Sequence, residues 1–187
     1  MVVKFLAPAA VAGLLLSAMA VPAPVAAQQA GLTTDSSFIQ MAGSLGLLQV
    51  KLGKLAEKKG SSAGVTDFGK RMVAEYSRTN EELAAAAKQA AFPAPVVLRE
   101  HKQVLDRFLG TSRSSFDKNY MAAMVDYDRQ AVDLFKQEAE NGRVASLKAL
   151  ASRMLPAVQQ HLALATQTAG SVGADVTAST SSRRQGS

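Results

Sequence analysis

Apolar residues recur every three or four positions along four long segments of the chain, which is the spacing of one face of an α-helix. The clearest case runs from Phe116 to Glu140. Its face carries Tyr120, Met124, Asp128, Ala131 and Phe135. Only Asp128 on that face carries a charge, so the pattern predicts a carboxyl group inside a helical core.

Glycine, proline and serine divide the pattern into five predicted helices, and no segment alternates with the period of a strand. Gly60, Pro93 with Pro95, Gly110 and Asn141-Gly142 end successive helices. The predicted helices start at Asp35 or Ser36, at Ser61 or Ser62, at Val96, at Ser114 or Ser115, and at Val144, and the last reaches Ala169. The sequence therefore predicts an all-α fold over residues 35–169, a four-helix bundle with one additional short helix.

The amino end has the order of a secretory signal peptide. Lys4 precedes an apolar run from Phe5 to Leu16, and small residues follow. We predict a signal peptide over residues 1–27 with cleavage after Ala27, a linker over residues 28–34 and a periplasmic location. The alternative is an uncleaved anchor in the inner membrane. The composition of residues 170–187 predicts a disordered tail.

Composition excludes several kinds of site. The chain has no cysteine, which removes disulfides, thiolate metal sites and a cysteine nucleophile. The net charge is +6, but the basic residues are spread out and match no nucleic-acid motif. We expect no nucleic-acid partner, and weak contact of the basic surface with an anionic membrane is the remaining partner hypothesis. Catalytic sequence motifs are also absent, so an enzyme is the less favoured reading.

Four polar residues lie on or beside the apolar stripes of the long helices: Gln49, Tyr76, Asp128 and His161. One interpretation is a buried, hydrogen-bonded cluster that fixes the register of the helices. The other is a transition-metal site with His161 and Asp128 as ligands, joined by Glu75 or Glu138. The ligand pattern of di-iron bundles is missing, because neither histidine has a glutamate three residues before it. We therefore expect no cofactor, and a transition metal only in the second interpretation.

Four segments of the chain resemble the DUF4142 family of exported bacterial proteins. They are LLQVKLGKLAEKK (47–59), DFGKRMVAEYSRTNEEL (67–83), SFDKNYMAAMVDYDRQAVDLFKQEAENG (115–142) and LKALASRMLPAVQQHLALA (147–165). The resemblance implies a ferritin-like helical bundle without a settled activity. It also implies glutamate at position 49 and histidine at positions 76 and 128, where this chain has Gln49, Tyr76 and Asp128, whereas His161 keeps the residue of the family.

These observations lead to one functional hypothesis and one alternative. The first is an uncharacterised exported bundle of the bacterial envelope with a non-enzymatic binding or structural role. The alternative is a ferritin-like metal-binding or redox protein with a degenerate site in the bundle core.

Overall fold

A computed structural model describes the backbone of residues 25–176 and the side chains of residues 34–176. Within that range the chain forms five helices and no strand, so the all-α prediction is confirmed. The helices are α1 (Val25–Lys59), α2 (Ala63–Gln89), α3 (Arg99–Gly110), α4 (Arg113–Asn141) and α5 (Ala145–Ser171). None of these helices has both the length and the apolar character that crossing a membrane requires.

The four long helices pack as two pairs, α1 with α2 and α4 with α5. Contacts of α1 with α4 and of α2 with α5 join the pairs, and α3 lies along α1. Because the connection within each pair is short, its two helices run in opposite directions. Each long helix contributes its apolar stripe to one core, where Leu48, Met72, Met124 and Leu147 are fully buried. Burying one such side chain contributes roughly 1.5–3 kcal/mol.

Glycines set the distance between α1 and α2. A Cβ atom added at Gly53 of α1 would lie 2.7 Å from the carbonyl oxygen of Gly69 on α2, closer than real side chains approach. A Cβ atom at Gly69 would lie 2.8 Å from the carbonyl oxygen of Gly53. The two backbones can approach this closely because neither residue has a side chain.

The start of α1 differs from the sequence prediction. Residues 28–34, predicted as a linker, are helical and continue α1 back to Val25. The reason is local, since no proline lies between Pro24 and Asp35, and Gln28, Gln29 and Ala30 are good helix formers. The predicted signal peptide, apart from its last three residues, lies outside the described range.

Asp35, predicted to cap the first helix, lies inside α1 and caps a different one. Its Oδ1 atom accepts the backbone N–H of Arg143 at 3.0 Å and that of Val144 at 3.2 Å, just before α5 begins. The first N–H groups of a helix have no partner within the helix, so a carboxylate placed there stabilises the helix start. Asp35 does this from another helix, and the bond joins α1 to the α4–α5 turn.

The carboxyl end of the bundle is longer than predicted. Disorder is predicted from Gly170, but α5 continues to Ser171, and Val172, Ala174 and Val176 pack against the core. Gly173, with φ +63°, adopts the left-handed conformation that ends a helix, and the Ala174 N–H bonds to the Ala169 carbonyl at 2.9 Å. The helix therefore ends where the chain reaches Gly173. Residues 177–187 of the predicted tail lie outside the described range.

Candidate functional site in the bundle core

Asp128 is the centre of a polar cluster inside the bundle. Its side chain is fully buried on α4, and its Oδ1 atom accepts two hydrogen bonds. Gln49 of α1 donates through Nε2 at 2.8 Å, and the Tyr76 hydroxyl of α2 donates at 3.1 Å. One carboxyl oxygen thus joins three of the four long helices.

The helical period brings Asp128 to this place. Tyr120, Met124, Ala131 and Phe135 are all buried, and a residue four positions after Met124 must share their face. By the same spacing Tyr76 follows the buried Met72 on α2, and Gln49 stands between the fully buried Leu48 and Leu52 on α1. The apolar stripes therefore direct all three polar side chains into the core.

Burial controls the electrostatics of the cluster. It raises the pKa of Asp128 to about 7, because a charged carboxylate loses its hydration, and the hydrogen bonds from Tyr76 and Gln49 act in the opposite direction. Burial and the nearby Asp128 raise the pKa of Tyr76 well above its ordinary value. Tyr76 is therefore a hydrogen-bond donor at neutral pH, and Asp128 changes its charge close to neutral pH.

His161 of α5 lies beside the cluster and has a different partner. Its ring centre is 5.1 Å from that of Tyr76, and its Nε2 atom is hydrogen-bonded to Glu75 Oε2 on α2. Arg71 donates its Nε–H to the other oxygen of Glu75 at 2.7 Å. The chain Arg71–Glu75–His161 runs from the exposed surface of α2 to the core.

His161 is a neutral donor in this arrangement. Burial lowers its pKa, and the opposing influence of Glu75 is smaller. For Glu75, burial acts to raise the pKa, but the hydrogen bonds from His161 and Arg71 lower it overall. The two directions agree with a neutral imidazole that donates Nε2–H to a carboxylate, so we describe the contact as a hydrogen bond between a neutral and a charged group.

Of the four residues that the sequence singles out, the structure places three, Gln49, Tyr76 and Asp128, in direct hydrogen-bond contact. His161 touches them only through the ring of Tyr76. The sequence missed Glu75 as its hydrogen-bond partner, although the position of Glu75 next to Tyr76 at the edge of the α2 stripe is a usable signal. It placed Tyr120 on the same face of α4 as Asp128 but did not count its fully buried hydroxyl among the polar groups of the core.

In and beside the cluster, four buried polar atoms have no hydrogen-bond partner among the described residues: Gln49 Oε1, Asp128 Oδ2, Tyr120 Oη and His161 Nδ1. Three of them are acceptors, which suits water, a proton or a cation better than an anion. The cluster can therefore hold the helices in place and can take up a proton at Asp128.

The metal-site hypothesis uses the same atoms. Asp128 Oδ2 and His161 Nδ1 are the donor atoms that remain open on the two predicted ligands. Within residues 25–176 no three histidine, aspartate or glutamate side chains gather around a common point. Glu138 cannot join, because it is ten residues beyond Asp128 on α4, about 15 Å along the helix axis. Glu75 is bonded to Nε2, the opposite side of the His161 ring.

A second buried histidine, His101 of α3, contacts Ser44 of α1. Its Nδ1 atom lies 2.6 Å from the hydroxyl of Ser44 on α1, and Ser44 also accepts the N–H of Leu98 at 2.8 Å. Burial lowers the pKa of His101. Ser44 thus fixes the start of α3 against α1, and His101 serves as a natural comparison for His161.

Comparison with known proteins gives one match. The model of a protein family, described as a domain of unknown function (DUF4142), matches residues 20–168 and confirms the resemblance noted in the sequence. No curated protein and no solved structure matches the chain.

Proposed function

The chain belongs to the DUF4142 family, and from that premise we propose that it is a non-enzymatic, exported helical-bundle protein of the bacterial envelope with a structural or binding role. One observation carries the proposal. The Oδ1 atom of the core residue Asp128 accepts hydrogen bonds from Gln49 and Tyr76, two side chains of its own chain.

The enclosure of the cluster by the helices supports a non-enzymatic role. Three surface cavities of about 280, 280 and 390 Å³ lie along the bundle. None of these three cavities is lined by Gln49, Tyr76, Asp128 or His161. A substrate must reach the groups that act on it, and the cluster side chains are enclosed by the helices.

The cluster suits a role in fixing helix register. If α1 or α2 slid by one turn relative to α4, Asp128 would lose one of its two donors while it remained buried. A buried carboxyl without a partner is costly, so the shifted arrangement is disfavoured. The apolar stripes alone tolerate such a shift better, because one apolar contact replaces another.

Export is supported by the amino end of the sequence. Lys4, the apolar run after it and the small residues before Gln28 have the order of a signal peptide. Cell fractionation and amino-terminal sequencing test this part. We expect the protein in the periplasmic fraction with Gln28 as its first residue, whereas a mature protein that retains Lys4 and sediments with membranes would favour the anchor.

The basic surface supports a further part of the proposal, weak binding to anionic membranes. A chain without residues 1–27 loses one basic residue, Lys4, and keeps a net charge of +5. Flotation with vesicles of anionic lipid should show binding that salt removes, because charge attraction to lipid headgroups is screened. Equal binding to neutral vesicles would contradict this part.

A ferritin-like metal-binding or redox function is the second candidate, favoured by the open, buried atoms Asp128 Oδ2 and His161 Nδ1. In it a transition metal would bind between α4 and α5. Metal content separates the two candidates. The measurement is mass spectrometry of protein purified from its native location without chelator or affinity tag, followed by titration with iron, zinc and copper.

The preferred function predicts no stoichiometric metal and no uptake. Under it, His161→Ala lowers the free energy of unfolding by about 1–3 kcal/mol through a lost buried hydrogen bond. A metal that is lost in His161→Ala and in Asp128→Asn but kept in His101→Ala would establish the second candidate instead. His101→Ala is the matched control, because it removes the other buried histidine.

A further inference from the structure

Glu138 has a buried carboxyl group near the carboxyl-terminal end of α4, far from the Asp128 cluster. Its side chain is 1% exposed, one turn before α4 ends at Asn141. No N–H or hydroxyl donor among the described residues reaches either of its carboxyl oxygens. An ionised carboxylate without donors is very unfavourable in such a place.

The carboxyl of Asp35, which is also fully buried, lies at the same turn: Glu138 Oε1 lies against Gly142, and Asp35 Oδ1 accepts the N–H groups of the next two residues, Arg143 and Val144. Two carboxyl groups attract each other only when a proton lies between them, and two adjacent carboxylates repel. Asp35 already accepts the N–H groups of Arg143 and Val144. Glu138 is therefore the partner that carries the proton and donates it to Asp35.

We propose that the Asp35–Glu138 carboxyl pair is a proton-dependent latch that joins α1 to the α4–α5 turn and opens when Glu138 loses its proton. The latch has three parts, one from each element that meets there: Asp35 of α1, Glu138 of α4, and the N–H groups that lead into α5. When the shared proton leaves, repulsion between the two carboxylates acts on the side chain that holds the turn.

The surroundings of the pair favour the protonated state of Glu138. Burial raises the pKa of Glu138 to about 8, the Asp35 carboxyl acts in the same direction, and Lys148 of α5 opposes it. Lys148 donates to the Glu140 carbonyl at 3.0 Å, and the side chain of Arg143 is exposed. Neither basic side chain therefore donates to the pair.

A glycine and a cavity lie next to the Asp35–Glu138 pair. A Cβ atom at Gly142 would collide with Glu138 Oε1, so the glycine leaves the space that the carboxyl occupies. A cavity of about 280 Å³ lies beside the pair, lined by Glu138 with Thr34, Ser37, Phe38, Leu134 and Gln137. This cavity gives water a route to Glu138 when the latch opens.

The test is an NMR titration from about pH 6 to about pH 9.5 that follows the Glu138 carboxyl and the backbone amides of Arg143 and Val144. Hydrogen exchange of the same two amides is measured over this range and corrected for the intrinsic exchange rate. We expect the resonance of the Glu138 side-chain carboxyl carbon to titrate near pH 8. In the same pH range the Arg143 and Val144 amides should shift, and their exchange should accelerate more than about tenfold.

Glu138→Gln supplies a permanent donor to Asp35 and should abolish both amide responses, whereas Glu140→Gln, an exposed residue of the same helix, should leave them unchanged. The wild-type titration alone is decisive if the variant fails to fold. A Glu138 carboxyl that titrates in the ordinary acid range, or amides that do not respond when it titrates, would overturn the latch.

Discussion

The Tyr76 hydroxyl lies 3.1 Å from Asp128 Oδ1 and joins α2 to α4 inside the core. Two fully buried tyrosines face the core of this bundle, but only Tyr76 has a partner for its hydroxyl. Tyr120 contributes its ring, which stacks on Phe116 at a centroid distance of 5.4 Å, while its hydroxyl has no partner among the described residues. The same substitution at the two positions separates hydrogen bonding from ring packing.

We expect Tyr76→Phe to lower the free energy of unfolding by about 1–3 kcal/mol, because Asp128 loses a donor while it remains buried. Tyr120→Phe should be neutral or stabilising, since it removes a buried hydroxyl that has no partner within the described part of the chain. Urea unfolding of both variants measures the difference. Equal losses at the two positions would show that Tyr76 matters only as a packed ring.

The raised pKa of Asp128 predicts a pH dependence of stability with a defined sign. The pKa is about 7 in the folded protein against an ordinary value of 3.8, so between these two pH values the folded state binds more protons than the unfolded state. The contribution of Asp128 to the free energy of unfolding therefore falls as the pH rises through this window, by up to about 1.4 kcal/mol per pH unit, and levels off about one pH unit above the folded-state pKa.

Unfolding of wild type and Asp128→Asn from about pH 4 to about pH 8 isolates this contribution, because Glu138 and His161 titrate in both proteins. The wild type should be favoured relative to the variant most strongly at the acid end. A difference that stays constant with pH would show that Asp128 does not change its protonation in this range.

The Glu75–His161 contact predicts a single tautomer of His161. At about pH 7 the ring should be neutral with its proton on Nε2, which nitrogen-15 NMR of the imidazole reports directly. The pKa of His161 is lowered from its ordinary value of 6.5, so as the pH falls the imidazole is protonated in the unfolded state before it is protonated in the folded state. Protonation of His161 therefore lowers the free energy of unfolding as the pH falls below 6.5.

Glu75→Gln should lower the pKa of His161 further, since the carboxylate is the influence that raises it. Glu81→Gln, an exposed glutamate on the same helix, is the control and should leave that pKa unchanged. A doubly protonated ring at neutral pH would contradict the neutral hydrogen bond and indicate an ion pair.

The close approach of α1 and α2 predicts that Gly53→Ala destabilises the bundle by about 1–3 kcal/mol, despite the better helix propensity of alanine. The new methyl group would meet the Gly69 carbonyl, which belongs to the backbone and cannot move aside easily. Gly170→Ala is the control, because a Cβ atom there meets nothing within 4 Å. It should be neutral or stabilising by up to about 1 kcal/mol, and thermal unfolding of the two variants shows whether the expected order holds.

Much of the fold follows from the order of residues along the chain. The three-and-four spacing of apolar residues predicts five helices, and Gly60, Pro93 and Gly142 mark where helices end because backbone geometry is a local property. The same spacing directs Asp128, Gln49 and Tyr76 inward. The start of α1 was not predicted correctly. Residues 28–34 contain no strong signal that would end a helix, and Asp35 and Ser36 after them are typical residues at the start of one.

What the sequence determined by itself is which face of each helix is buried, because that depends only on the helical period and the cost of exposing apolar groups. The tertiary structure decided which polar groups meet. Asp35 bonds to the N–H groups before α5 rather than to its own helix, His161 bonds to Glu75 rather than to Asp128, and Glu138 faces Asp35. Such pairings depend on the relative height and rotation of packed helices. These are set by close contacts such as Gly53 with Gly69, which no period along a single helix records.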